Sequence, residues 1–239
     1  MNKKRDYRSP TTGARPLRKT QGQQGVRSAD GLVKVLGGMW RGSKIPVIEA
    51  PGLRPSASRS RDIMFNWLQP IIRTAHVLDL FAGSGALGIE ALSRGAQRAD
   101  FVEYDPKVLS QVKSTVERLT AGSPISATVA FHQDKAESFL KRTQQPTWDL
   151  IFMDPPFSQS QDLLKECGTL LNQRIANTQG SVAGKAEQHR PFTLAIESEA
   201  SDDAADSIHS MQLTLTHFEL KKQKKVGQSV ISLWQQAYP

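Results

Sequence analysis

The sequence predicts an α/β fold of Rossmann-like type with a mostly parallel sheet, on the evidence of three stretches. Val77-Leu78-Asp79-Leu80-Phe81 is a short apolar run bounded by turn residues, as a fully buried parallel strand requires. Ala82-Gly83-Ser84-Gly85-Ala86-Leu87-Gly88 follows, and its glycines allow a sharp turn and close approach of backbone to a ligand. Leu87, Ala91 and Leu92 then recur at helical spacing, with Gly95 where a left-handed helix stop belongs. The next apolar segment, Phe101-Val102, closes on Glu103-Tyr104-Asp105. Strand, glycine loop, helix and strand in this order put a ligand at the carboxyl end of the first strand.

The remaining elements follow in chain order. Residues 1–30 are polar, without hydrophobic periodicity, and rich in Lys and Arg. They are expected to be a disordered tail that serves either as a solvated appendage or as a basic arm along phosphates. Residues 31–70 form an extension. Leu32–Leu36 and Ile45–Ile48 read as a β-hairpin around Gly37-Gly38-Met39-Trp40-Arg41-Gly42, with Pro46 suited to an edge. A helix from about Ser58 buries Ile63, Met64, Trp67 and Leu68 and is expected to end at Pro70. Residues 71–239 form the main domain. After the second strand, Pro106 starts a helix capped by Asp105, with Val108, Leu109, Val112, Val116 and Leu119 on one face. Ala127–Phe131 is the third strand, and Asp134 with Glu137 has capping-box spacing. Trp148–Met153 is the fourth strand and delivers Asp154-Pro155-Pro156-Phe157. A helical stripe from Leu163 to Ile175 comes next, then a surface loop over 177–190 and a fifth strand, Phe192–Ile196, ending at Glu197. An acidic loop, Glu199–Asp206, leads to a closing hairpin, Met211–Lys221 with Ser229–Gln235, around Lys222–Gly227.

Length and charge bound the function. The 239 residues suffice for one substantial core. Lys and Arg number 31 against 23 acidic residues, and the net charge of +8 points to a polyanionic partner. The single cysteine, Cys167, rules out an intrachain disulfide and suits a core thiol. His76, His132, His189, His209 and His217 lack ligand spacing, so no metal is expected. No run reaches membrane-spanning length and no apolar signal core opens the chain, so the expectation is a cytoplasmic monomer.

Gly83, Gly85 and Gly88 fit G-x-G-x-x-G with Glu103 downstream, a pattern that a nicotinamide oxidoreductase shares. Asp79 inside the first strand and Asp154-Pro155-Pro156-Phe157 after the fourth decide otherwise. Together they resemble class I methyltransferases that use S-adenosyl-L-methionine to methylate exocyclic amino groups. Gly37-Gly38-x-Trp40-Arg41-Gly42, Leu53-Arg54-Pro55-Ser56, Arg59-x-Arg61 and Phe65-Asn66-Trp67-Leu68 narrow this further. Over residues 32–235 the chain resembles the RsmD-type small-subunit (16S) ribosomal RNA guanine-N2 methyltransferases. It departs from their usual pattern at Ser56, Ser58, Ser60 and Asp62.

That resemblance implies a seven-stranded sheet closed by an antiparallel hairpin, with S-adenosyl-L-methionine as cofactor. It also implies 16S rRNA in an assembling small subunit as partner. Asp79, Phe81, Gly83, Gly85, Glu103, Tyr104, Asp134, Lys135 and Asp154 would line the cofactor. Glu103 would meet the ribose hydroxyls and Asp134 the adenine amine. Asp154 and the Pro155 carbonyl would accept from the target amine, on a turn that the prolines stiffen. Phe157 would stack the extruded base. Arg41, Arg54, Arg59, Arg61, Lys224 and Lys225 are the candidate phosphate ligands. The rival readings are a DNA or RNA adenine-N6 methyltransferase and an RNA-binding module on a vestigial fold.

Overall fold

The computed structural model describes residues 31–47, 55–143, 148–156, 160–180, 191–200 and 204–237. The basic tail, Arg54 and Phe157 lie outside these residues. A seven-stranded sheet forms the centre, with spatial order β5-β4-β3-β6-β7-β9-β8. In sequence, these strands are β3 (His76–Asp79), β4 (Arg98–Glu103), β5 (Thr128–Gln133), β6 (Leu150–Met153), β7 (Thr193–Glu199), β8 (Phe218–Val226) and β9 (Ser229–Gln236). The first five run parallel, and β9 pairs antiparallel with both β7 and β8. A separate antiparallel pair, β1 (Leu32–Lys34) and β2 (Lys44–Pro46), makes the leading hairpin.

Alternation along the buried strands feeds two cores. Val77, Phe101, Phe152 and Ile231 face one side and pack with α1 (Pro55–Ile72), α2 (Ala86–Ser93), α3 (Pro106–Gly122) and the hairpin. Leu78, Val102, Ile151, Met153 and Trp234 face the other, against α4 (Ala136–Arg142), α5 (Ser160–Gly180) and α6 (Ala204–Thr214). This two-sided burial explains why β3 and β6 read as continuous apolar runs. Cys167 is a buried core thiol, as expected. No helix among the described residues is long and apolar enough to cross a membrane.

Several boundaries differ from the sequence reading. The first helix begins at Pro55 and runs through Pro70 to Ile72. Pro70 sits in the last turn, where a kinked end costs little further hydrogen bonding. The helix after β6 extends to Gly180, so residues 177–180 are helical rather than loop. Ala204–Thr214 is a helix that the reading missed, taking its start as acidic loop and Met211 onward as strand. Consequently Lys222, Lys224 and Lys225 lie on the edge strand β8, and only Gly227-Gln228 turn the chain.

Candidate active site

Asp79 is the last residue of β3 and is 1% exposed. Its Oδ2 accepts from the Gly88 N–H at 2.9 Å, in the first turn of α2. The strand thus caps the helix that the glycine loop opens, and the helix supplies no capping side chain of its own. Burial, aided by the charge of Glu103, pushes the Asp79 carboxyl up to about 7. Between strand and helix the chain turns with Gly83 at φ 49° and Gly85 at φ 75°, a region costly for side-chain-bearing residues.

The two loop glycines do different work. A Cβ on Gly85 would sit 2.7 Å from a Val112 methyl, so that glycine serves packing against α3. A Cβ on Gly83 would meet nothing closer than 4.0 Å, which leaves open space over its backbone.

Glu103 ends β4 and turns back on this loop. One carboxylate oxygen accepts from Gly83 N–H and the other from Asp105 N–H, both at 3.0 Å. Each oxygen keeps a further lone pair for a hydroxyl donor. Asp134 N–H donates to the Glu103 carbonyl at 3.2 Å, so the two acidic residues stand on adjacent strand ends. Asp134 does not form the expected capping box. The residue before α4 is Lys135, which makes no side-chain cap. The Asp134 carboxylate accepts instead from Lys135 N–H at 2.9 Å and from Arg142 at 2.6 Å. Phe81 is half-buried at the loop, Lys135 is exposed, and Tyr104 is 67% exposed, leaving its ring free to cover a bound group.

On the other side of β3, β6 ends at Met153 and hands Asp154 to the same edge of the sheet. Asp154 is half-buried, Pro155 buried and Pro156 exposed. Burial, then the charges of Glu197 and Asp79, raise the Asp154 carboxyl well above the usual range, and Arg61 opposes them. Glu197, 7% exposed near the end of β7, belongs to this cluster although the sequence marked it only as a strand end. Its position could have been found by counting from the strand register, in which Met153 pairs with Ile196.

The cationic candidates separate. Arg41 and Arg59 are exposed. Arg61 is not a surface ligand: it is 6% exposed and donates to the Lys34 carbonyl at 2.6 Å. Lys224 and Lys225 are both exposed but consecutive on a strand, so they project to opposite sheet faces. Lys224 shares its face with Lys222, whose ammonium lies 6.0 Å from the Trp67 ring on α1.

The Gly37-Gly38-Met39-Trp40 segment is a clasp onto α2. Leu36 and Gly37 N–H groups donate to the Glu90 carboxylate at 2.7 Å each, and Arg94 also donates to it at 2.7 Å. Met39 N–H reaches the Ser93 carbonyl at 2.7 Å, and the Ser93 hydroxyl donates to the Gly37 carbonyl at 2.6 Å. The Trp40 indole N–H donates to the Ser123 carbonyl at 3.1 Å beyond α3. The polar residues Glu90 and Ser93 of α2 therefore exist to receive the leader.

A second concavity, about 440 Å³, is lined by Arg98, Asp100, His132, Phe139, Arg142, Thr143 and Trp148. Its carboxylate is already satisfied by Arg98, His132 and the Trp148 indole. Burial alone would raise Asp100, but these donors hold it below the usual carboxylate range. Arg98 and Trp148 place one side of this concavity at the amino ends of β4 and β6, while His132 and Arg142, the latter bound to Asp134, place the other near the end of β5. Among the described residues, no group of His, Cys, Asp and Glu is arranged to hold a metal.

A family model described as conserved hypothetical protein 95 matches residues 33–201. The chain belongs to that family. Ribosomal RNA small subunit methyltransferase D of Haemophilus influenzae is 43% identical over 131 residues, covering 54% of this chain and 66% of the relative. Its namesake from Escherichia coli K12 is 41% identical over 160 residues, covering 65% and 78%. The solved structure of yhhF from Escherichia coli superposes with a TM-score of 0.67 at 32% identity, covering 87% of this chain and 99% of that one. The class I methyltransferase architecture inferred from the sequence agrees with these matches.

Proposed function

We propose that the chain transfers a methyl group from S-adenosyl-L-methionine to the exocyclic N2 of a guanine in 16S rRNA during small-subunit assembly. One observation carries the reading: Asp154, followed by Pro155 and Pro156, leaves β6 at the strand edge beside β3, whose end leads into the glycine bend. The names of the 41–43% identical relatives support ribosomal RNA as the substrate class. The open space over Gly83 and the spare lone pairs of Glu103 fit the cofactor.

S-adenosyl-L-methionine, when bound, supplies an electrophilic methyl on a sulfonium. Gly83 would admit the methionine portion against the backbone, Glu103 would accept from the ribose hydroxyls, and Asp134 from the adenine amine. The Asp79 carboxylate orders the loop beneath. Methyl transfer of this kind is an in-line displacement, so the chain's own part is orientation and electrostatics. The lone pair of a guanine amine is delocalised into the ring and is a poor nucleophile. Asp154 accepts from one N–H and the Pro155 carbonyl from the other, favouring a tetrahedral nitrogen whose lone pair faces the methyl. Phe157, which lies outside the described residues, would stack the extruded base.

Asp154→Ala is expected to bind S-adenosylhomocysteine like the wild type in calorimetry while methyl incorporation into small-subunit rRNA is abolished. Normal turnover in that variant would end the assignment.

A further inference from the structure

We propose that Arg61 is a positioning residue: carried in by the leader helix, it favours the charged form of the Asp154 carboxylate, which stands beside Glu197. The proposal rests on the reading of Asp154 as acceptor for the target amine.

The parallel register sets the pair. Met153 of β6 lies opposite Ile196 of β7, so the following residues, Asp154 and Glu197, stand side by side at the strand ends. Asp79 ends the strand on the other flank of β6. Three carboxylates on adjacent strands, two of them almost fully buried, oppose one another's ionisation. Asp154 must nevertheless be anionic to accept from an amine N–H, since a protonated carboxyl is a far weaker acceptor.

Arg61 answers this demand from α1, which packs on the sheet face that also carries Phe152 and Ala195, two residues before Asp154 and Glu197. Its guanidinium donates to the Lys34 carbonyl, and its Nε is buried with no hydrogen-bond partner among the described residues. Such a group is expensive to bury for packing alone. It is tolerated because Glu90, Glu197 and Asp154 all lie within its field, while Arg94 opposes them. The groups facing Asp154 are therefore Glu197 from β7, Asp79 from β3 and Arg61 from α1. Glu90 and Arg94 of α2 act on Arg61. Arg61 is the one that favours the charged form. The leader, clasped to α2 through Glu90, thereby becomes part of the catalytic electrostatics rather than only a platform for RNA.

The signs differ between partners, which makes the test sharp. Without Arg61 the Asp154 carboxyl titrates higher, so the acid limb of kcat/KM moves up. Without the Glu197 charge it titrates lower, so the limb moves down. The experiment measures pH profiles of methyl transfer to small-subunit rRNA for wild type, Arg61→Met, Arg61→Lys and Glu197→Gln. S-adenosylhomocysteine affinity serves as the folding check.

The expected result is an upward shift of the acid limb for Arg61→Met, largely reversed by Arg61→Lys. Glu197→Gln is expected to shift the limb downward. Limbs that stay put while turnover falls, or that move in one direction in both variants, would overturn the proposal. Should Arg61→Met fail to fold, the direction of the Glu197→Gln shift decides, together with Arg61→Lys matching the wild type. Should the wild type transfer no methyl to this RNA, the functional reading has failed. Carboxyl 13C titration of Asp154 in the same variants then decides the electrostatic proposal on its own.

Discussion

Gly88→Ala tests the packing of helix against strand beneath the glycine loop. A methyl at residue 88 would lie 2.3 Å from Phe101 Cε1 and 2.6 Å from Cζ, well inside van der Waals contact. Phe101 cannot swing away freely, because it is fully buried and stacks on Phe131 with ring centroids 5.5 Å apart. Overpacking of this kind costs about 1–3 kcal/mol. Replacing a helical glycine by alanine returns up to about 1 kcal/mol of backbone entropy. The net expectation is a loss of up to about 2–3 kcal/mol in urea unfolding. The loss should carry over to S-adenosylhomocysteine affinity, since Gly88 N–H is the group that Asp79 binds. Phe101→Leu alone leaves a cavity and also destabilises. In the double variant, however, the new methyl occupies part of that cavity, so its loss should fall below the two single losses taken together. Strict additivity would show that the clash is absorbed elsewhere and would refute the steric account.

Gly38→Ala faces a backbone obstacle, the Ser93 carbonyl at 1.8 Å, at φ 76°, and nothing there can rotate away. The leader should undock, read as faster hydrogen exchange at Leu36–Trp40 with the main sheet still protected; unchanged protection would refute this. Asp79 is pushed up to about 7 from 3.8, so the native state holds its proton where the unfolded chain has lost it. Stability should therefore fall as pH rises from about 4 to 7, by at most ~4 kcal/mol. Asp79→Asn, which can still accept from Gly88, should flatten that slope in apo protein, and an unchanged slope would contradict the assignment. Lys224→Glu, on the face shared with Lys222 and Trp67, should weaken rRNA affinity and reduce its salt slope more than Lys225→Glu. Equal effects would indicate that the RNA does not lie on the α1 face.

The order of elements and the cofactor-side residues were legible because local rules govern them. Apolar runs, positive-φ glycines and a capping Asp105 announce strands, bends and helix starts without reference to distant chain. The same locality explains what escaped. Residues 204–214 follow an acidic stretch without a distinct start signal, and packing against α5 and β8 fixes them as a helix. Arg61 looked like a surface cation because arginines usually are; its burial follows from α1 packing onto β8 and β9, with Glu90, Glu197 and Asp154 in its field. Glu90 and Ser93 sit on an otherwise apolar helix, and their role exists only once the Gly37–Trp40 loop docks from more than fifty residues away. Glu197 gained its place beside Asp154 from strand register alone. Periodicity and turn chemistry thus determined which pieces form, because those depend on neighbours in sequence. Tertiary structure decided which charges meet, because burial and register bring together groups that no sequence spacing relates.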